Sequence, residues 1–98
     1  MKENTYQGKL IKKLKAMFPG CIVQKNDPNY IQGFPDLTIL FRDRWASLEV
    51  KAEEDAPEQP NQRHYVERLD SMSFAAFIHP GNEAEVLREL QRAFGVSR

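Results

Sequence analysis

Asp36 to Phe41 (D-L-T-I-L-F), Arg42-Asp43-Arg44 and Trp45 to Lys51 (W-A-S-L-E-V-K) decide how this chain is read. Both flanking runs are rich in β-branched and aromatic residues, and the polar triplet between them is a turn, so together they predict a β-hairpin. Within the second run Glu49 and Lys51 are two apart and leave the same face, while Val50 faces the other way. Charged side chains thus take positions where a core strand carries apolar ones. The register decides what joins them. Pairing Arg42 with Trp45 sets Asp36 opposite Lys51 on the Glu49 face, whereas pairing Phe41 with Trp45 turns Asp36 away. The chemistry favours the first register, or a bulge that achieves it.

Outward from the hairpin, the spacing predicts three helices and two further strands. Tyr6, Leu10, Ile11, Leu14, Met17 and Phe18 recur at helical spacing until Pro19-Gly20, with Lys2, Lys9, Lys12 and Lys13 on the opposite side. Glu3 and Gln7 fall within the apolar sector, where a carboxylate needs a partner. Cys21 to Gln24 reads as a short strand, and Asp27 to Gly33 as a loop. After the acidic, proline-bearing loop Ala52 to Pro60, a helix starts near Pro60 and carries Gln62, Tyr65, Val66 and Leu69 on one face. Phe74 to His79 is a buried strand by composition. A last helix begins at Asn82, read as an N-cap with Glu85 three residues on. The expected architecture is α/β, in the order α-β-β-β-α-β-α, as one domain spanning residues 1 to 98.

With 41% hydrophobic and 29% charged residues, the composition is that of a folded domain rather than a disordered chain. No apolar run approaches the length needed to cross a bilayer, and the N-terminus lacks a secretory pattern, so a cytoplasmic protein is expected. Cys21 stands alone, which excludes an internal disulfide and a cysteine-based zinc site within one chain. His64 and His79 form no spaced ligand set. Formal net charge is zero, which argues against a nonspecific DNA coater. The charge is nonetheless segregated. Residues 1 to 25 carry six lysines (Lys2, Lys9, Lys12, Lys13, Lys15, Lys25) against Glu3, while residues 52 to 70 carry six acids against Arg63 and Arg68. A protein with one polyanion-facing side needs such a division.

Magnesium is typically held by one or two carboxylates plus waters and a substrate phosphate, so two well-placed acids can form the core of a phosphodiester-hydrolysing site. Gly33-Phe34-Pro35-Asp36, then Leu48-Glu49-Val50-Lys51, then Gln62 on a helix followed by a further strand, resembles the PD-(D/E)xK nuclease superfamily, and most closely its small VRR-NUC branch. The resemblance covers nearly the whole chain. It implies a restriction-endonuclease-like core with a central mixed four-stranded sheet flanked by helices. It also implies that Asp36 and Glu49 hold Mg2+, with Mn2+ able to substitute and the Val50 carbonyl as a further ligand. Lys51 would orient or activate the attacking water. Glu3 matches the first-helix acid that reaches the metal directly or through water, and Gln62 the residue that fixes Lys51 or the scissile phosphate. The branch's usual glycine before the last strand is replaced here by Ser71-Met72-Ser73.

A chance Pro-Asp followed by acid-x-Lys occurs in about a few per cent of chains this long. Strand placement and element order therefore carry more weight than the motif. The blander readings are an ordinary turn at Pro35-Asp36, an exposed strand edge at Glu49 to Lys51, and a Gln62 that merely satisfies backbone near a helix start. The leading expectation is a metal-dependent endodeoxyribonuclease. A catalytically inactive nucleic-acid binding module of the same fold and a small adaptor domain are the alternatives. Lys9, Lys12, Lys13 and Lys25 are the candidate phosphate contacts, and Tyr30 and Phe34 can touch bases or pack under their loop. A domain this small gains selectivity by two-fold pairing. Small free-standing VRR-NUC proteins are similar to dimeric resolvases, which implies a homodimer acting on branched DNA such as four-way (Holliday) junctions. Members of that kind are often virus- or prophage-encoded. The first helix and the segment around Phe74 to Ile78 are the candidate pairing surfaces.

Overall fold

Leu37, Ile39 and Phe41, and likewise Ala46, Leu48 and Val50, recur at every second position and are buried, as residues must be on the strand face that meets a core. The computed structural model describes residues 2–96. Its elements run α1 (Glu3–Met17), β1 (Ile22–Lys25), β2 (Leu37–Phe41), β3 (Arg44–Val50), α2 (Gln62–Met72), β4 (Ala75–Ile78) and α3 (Glu83–Ala93), in the expected order. The four strands form one mixed sheet in the order β1-β2-β3-β4. The first three are antiparallel neighbours, and β4 is parallel to β3. A parallel pair needs a crossover connection, which α2 supplies.

The hairpin takes neither of the two registers weighed from the sequence. Phe41 pairs with Arg44 and Leu37 with Leu48, so the turn holds only Arg42 and Asp43, with Arg42 at a φ of 58°. Two-residue turns suit the right-handed twist of paired strands better than longer polar ones, and Arg44 is drawn into the strand. The ladder is shifted by two residues from the one that pairs Arg42 with Trp45. A shift of two preserves the face. Continued one step past Leu37, the ladder sets Asp36 opposite Glu49 instead of Lys51.

One face of the sheet is covered by α1 and α3. Tyr6, Leu10, Leu14, Phe18, Val86, Leu87, Leu90 and Phe94 pack on Leu37, Ile39, Phe41, Leu48, Val50 and Ile78. The rings of Phe18, Phe41 and Phe94 meet at centroid distances of 5.1 to 5.6 Å. Each such buried side chain contributes about 1.5–3 kcal/mol. On the other face a smaller cluster joins Val66 and Leu69 of α2 to Ala75, with Phe34, Trp45 and Phe77 against it. That helix covers β3 and β4 only. Ile22 and Leu40, cross-strand partners on the uncovered part, stay largely exposed. The apolar side of α1 and the residues Ala75 and Ile78 of β4 are buried within the protomer, whereas Phe74, Ala76 and Phe77 are only partly buried and β4 lies at the edge of the sheet.

Some local details differ from expectation. The helix α2 begins at Gln62 rather than near Pro60, because Asn61 takes a left-handed φ of 71° at the N-cap. The fourth strand is shorter than Phe74 to His79. Asn82 stands at the N-cap of α3 but makes no side-chain cap bond. Its amide turns back instead, accepting from His79 N–H at 2.9 Å and donating to the Phe77 carbonyl at 3.1 Å. Glu83 ties α3 to α1, accepting from the Tyr6 hydroxyl at 2.8 Å and from Lys13.

Gly33 locks the loop before β2 onto the start of α2. It has a φ of 86°, and a Cβ there would lie 2.6 Å from the Pro60 carbonyl oxygen and 2.7 Å from Asn61. Gly33→Ala is expected to cost about 2–4 kcal/mol, from backbone strain and forced separation of the two segments. Gly8→Ala on exposed α1, where no atom lies within 4 Å of the new methyl, is expected to stabilise by about 0.5–1 kcal/mol. Urea denaturation of the two variants, read against the parent, checks both signs.

Candidate active site

Pro35 and Asp36 sit where the β2–β3 ladder runs out, and they interrupt it in a specific way. The N–H groups of Ser47 and Lys51 donate to β4, at Phe74 O (2.9 Å) and Ile78 O (2.8 Å). Alternation then turns the N–H and C=O of Val50 toward β2. The residue opposite Val50 in the continued register is Pro35, which has no N–H to give. Asp36 takes over half of the missing pairing, its Oδ2 accepting from the Val50 N–H at 2.8 Å. The Val50 carbonyl is left without a ladder donor, beside the Asp36 carboxylate.

Glu49 and Lys51 are almost completely buried, at 2% and 7% exposure, and Gln62 of α2 joins them. Gln62 Nε2 donates to Glu49 Oε2 at 2.9 Å, and Gln62 Oε1 accepts from Lys51 Nζ at 2.7 Å. The same oxygen accepts from Gln59 N–H at 2.8 Å, so Gln62 serves the backbone at the helix start as well as Glu49 and Lys51. Lys51 Nζ donates also to the Pro57 carbonyl at 3.1 Å and lies 3.9 Å from Glu49 Oε2. The other Glu49 oxygen, Oε1, is buried with no hydrogen-bond partner among the described residues. Burial first, then the charge and contact of Asp36, push the Glu49 carboxyl up to about 8, while Lys51 opposes and Glu3 adds to the rise. Two acceptor groups confront each other here. Either a proton or a cation must stand between them.

Glu3 does not occupy the buried position that its helical phase suggested. It is exposed on the first turn of α1, beyond the end of the core. Partial desolvation raises its carboxyl above the usual range, as does Asp36, with Lys51 acting in the opposite direction. Among the described residues no three His, Cys, Asp or Glu side chains are grouped closely enough to hold a metal ion together. Glu3 is an electrostatic neighbour of the Asp36–Glu49 pair. The expected lysine cluster is also not gathered around the carboxylates. Lys9 and Lys12 are on the solvent side of α1, and Lys13 is engaged by Glu83. Lys25 pairs with Leu37 and thus faces the α1 side of the sheet, away from Glu49. His64 is exposed, and His79 Nδ1 accepts from Gly81 N–H at 3.0 Å.

Two participants were missed by sequence reasoning. The Pro57 carbonyl has no sequence signature, since every residue carries one. Asn26 donates through Nδ2 to the Pro35 carbonyl and to Thr38 Oγ1, both at 2.9 Å. Its only signal was its place beside Asp27-Pro28, which read as a turn. Comparison with protein-family models, curated proteins and solved structures finds no match to this chain.

The Glu49 environment has a consequence for stability in the absence of divalent ions. Between about pH 5 and about 8 the folded state keeps a proton on Glu49 that the unfolded chain, with a carboxyl near 4.5, has released. This contribution is complete at the acid end and is lost as pH rises through 8. Thermal unfolding in chelator should therefore show stability falling from pH 5 to pH 9 in the parent. Glu49→Gln should flatten the profile and melt higher than the parent at the alkaline end.

Proposed function

We propose that the protein is a divalent-metal-dependent endodeoxyribonuclease of the PD-(D/E)xK type, with a restriction-endonuclease-like core closest to the VRR-NUC branch. The observation that carries this reading is Glu49 Oε1, a buried carboxyl oxygen without a hydrogen-bond partner among the described residues and set against a second carboxylate. An arrangement so costly in a metal-free protein is what a cation site requires. The available donors are all oxygens, from Asp36, Glu49 and the Val50 carbonyl, which suits a hard ion such as Mg2+ or Mn2+. When bound, such an ion supplies positive charge to a phosphodiester and lowers the pKa of water.

The chain's own groups do the rest. Two of the three Lys51 protons are committed to Gln62 and Pro57, which fixes the ammonium and leaves one donor on the Glu49 side for a water or phosphate oxygen. Gln62 holds Lys51 and Glu49 at a set separation, so it is a positioning residue. Glu3 adds negative charge at the mouth of the site. Asp36 keeps one oxygen on the Val50 N–H, and its carboxylate faces Glu49, where the two would share a cation.

Two-fold pairing is proposed as well, because one site cuts one strand at a time and a C2 dimer matches a substrate of approximate two-fold symmetry. The substrate is then branched DNA, in particular a four-way junction.

Mg2+ and Mn2+ are expected to raise the melting temperature of the parent but not of Asp36→Asn or Glu49→Gln. Asp36→Asn is preferred to alanine because it keeps an oxygen for the Val50 N–H, whose loss costs about 1–3 kcal/mol. These two variants and Lys51→Ala should cut DNA about a hundredfold more slowly or worse, and chelator should stop the parent. Unimpaired cutting by Asp36→Asn would sink the assignment. Sedimentation, with parallel digests of junction, flap and linear duplex, tests the dimer and its substrate. A monomer that cuts linear duplex as fast as a junction removes that part of the proposal alone.

A further inference from the structure

Beside the carboxylates, on the same face of the sheet, lies a hollow of about 250 Å³ lined by Gln24, Asn26, Asp27, Tyr30, Ile31 and Phe34. Its position follows from the register. Gln24 pairs with Thr38 and Thr38 with Ser47, and Ser47 shares its face with Glu49. The Asn26 N–H donates to the Asp36 carbonyl at 2.8 Å, so the floor of the hollow is fastened to the residue that carries the site. Neighbouring strands are about 5 Å apart, which separates Asn26 from Glu49 by about 10 Å across the sheet.

The walls are aromatic and aliphatic, and the rim offers acceptors. Phe34 is anchored against Tyr65, with ring centroids 5.7 Å apart. Tyr30, by contrast, is 84% exposed, a large ring with no packing to perform. Asp27 Oδ1 accepts from Asn29 N–H at 2.8 Å, leaving Oδ2 open. Both Asn26 amide hydrogens are used within the fold. Gln24 Nε2 reaches Asn26 Oδ1 at 3.5 Å, which leaves Gln24 Oε1 to accept. No cation lines the hollow, so a phosphate or carboxylate would be repelled by Asp27. A flat aromatic occupant with hydrogen-bond donors on its edge fits all of these features. The volume is below that of a pocket for a drug-sized ligand and matches one ring system.

We propose that this hollow takes an unpaired nucleobase bearing an exocyclic amino group, stacked on Tyr30 and donating to Asp27 and Gln24. The base belongs to a strand whose phosphate reaches the Asp36–Glu49 pair, so the inference rests on the nuclease reading. Stacking on an exposed ring supplies affinity without a basic surface, and a carboxylate acceptor selects cytosine, adenine or guanine over thymine.

The test measures binding of fluorescent oligo-dC, oligo-dT and blunt duplex to the full chain in calcium at fixed salt, alongside magnesium-dependent cutting. The parent is expected to prefer oligo-dC to oligo-dT. Tyr30→Ala should lose about tenfold in oligo-dC affinity, with duplex binding and melting temperature unchanged, and Tyr30→Phe should retain the parent value. Asp27→Asn should erase the preference for dC over dT. If the parent cuts DNA but Tyr30→Ala binds oligo-dC as tightly as the parent does, the base site is refuted and the nuclease stands. If Asp27→Asn keeps the preference, the amino-group assignment is refuted. A parent that neither binds nor cuts any nucleic acid refutes both readings together.

Discussion

Glu49 lies on a central strand, almost wholly removed from water, with another carboxylate against it. Ions in such surroundings cost several kcal/mol each unless they are paired and hydrogen-bonded. Half of that requirement is met within the chain, because Gln62 and Lys51 serve Oε2. The other half is not, since Oε1 is left without a donor among the described residues. Much of the architecture is concerned with holding this unfavourable pair in place. The third strand is flanked on both sides by hydrogen-bonded neighbours, and its alternate side chains Ala46, Leu48 and Val50 are locked in the larger core. A strand so fixed cannot rotate Glu49 into solvent.

A proline does the complementary work on the neighbouring strand. By withholding an N–H opposite Val50, Pro35 ends the ladder one residue before it would have satisfied the Val50 carbonyl, and Asp36 fills the donor side of the gap. The break is not a frayed end. Asn26, just after the first strand, clamps the Pro35 carbonyl, and Gly33 permits the preceding loop to press on Pro60 and Asn61. That contact in turn sets where α2 begins, and so where Gln62 stands. One glycine and one proline in the stretch Gly33 to Asp36 thus position Asp36, the Val50 backbone and Gln62 together.

Sheet faces and helix faces were legible because alternation and helical spacing depend only on sequence-local geometry. Asp36, Glu49, Lys51 and Gln62 could be brought together on that basis, and the structure does bring them together. The hairpin register was not legible, since Arg42, Asp43 and Arg44 are all polar and nothing in the triplet says which of them is strand. What survived was the face, because the true register differs from the favoured one by two residues. The start of α2 was missed for a tertiary reason. Pro60 suits a first helical position, but Asn61 is held left-handed where the Gly33 loop packs. Glu3 was misplaced because helical phase says nothing about where the core beneath a helix stops. Lys13 was read as a free charge because Glu83 is 70 residues away in sequence.

The two faces of the sheet divide the demands on a short chain. A domain of 98 residues has little stability to spare, and a buried charged site draws on it. The face under α1 and α3 carries a continuous apolar cluster with three interlocked phenylalanines and only hydrocarbon at its centre. The other face carries the carboxylates, the buried lysine, the hollow at Tyr30 and a much smaller apolar cluster under α2. Apolar burial is concentrated on the face opposite the carboxylates. The polar groups are concentrated where the sheet is only half covered. Such a separation lets Glu49 remain unsatisfied without the fold depending on its being satisfied, because removing the site would leave the larger core untouched.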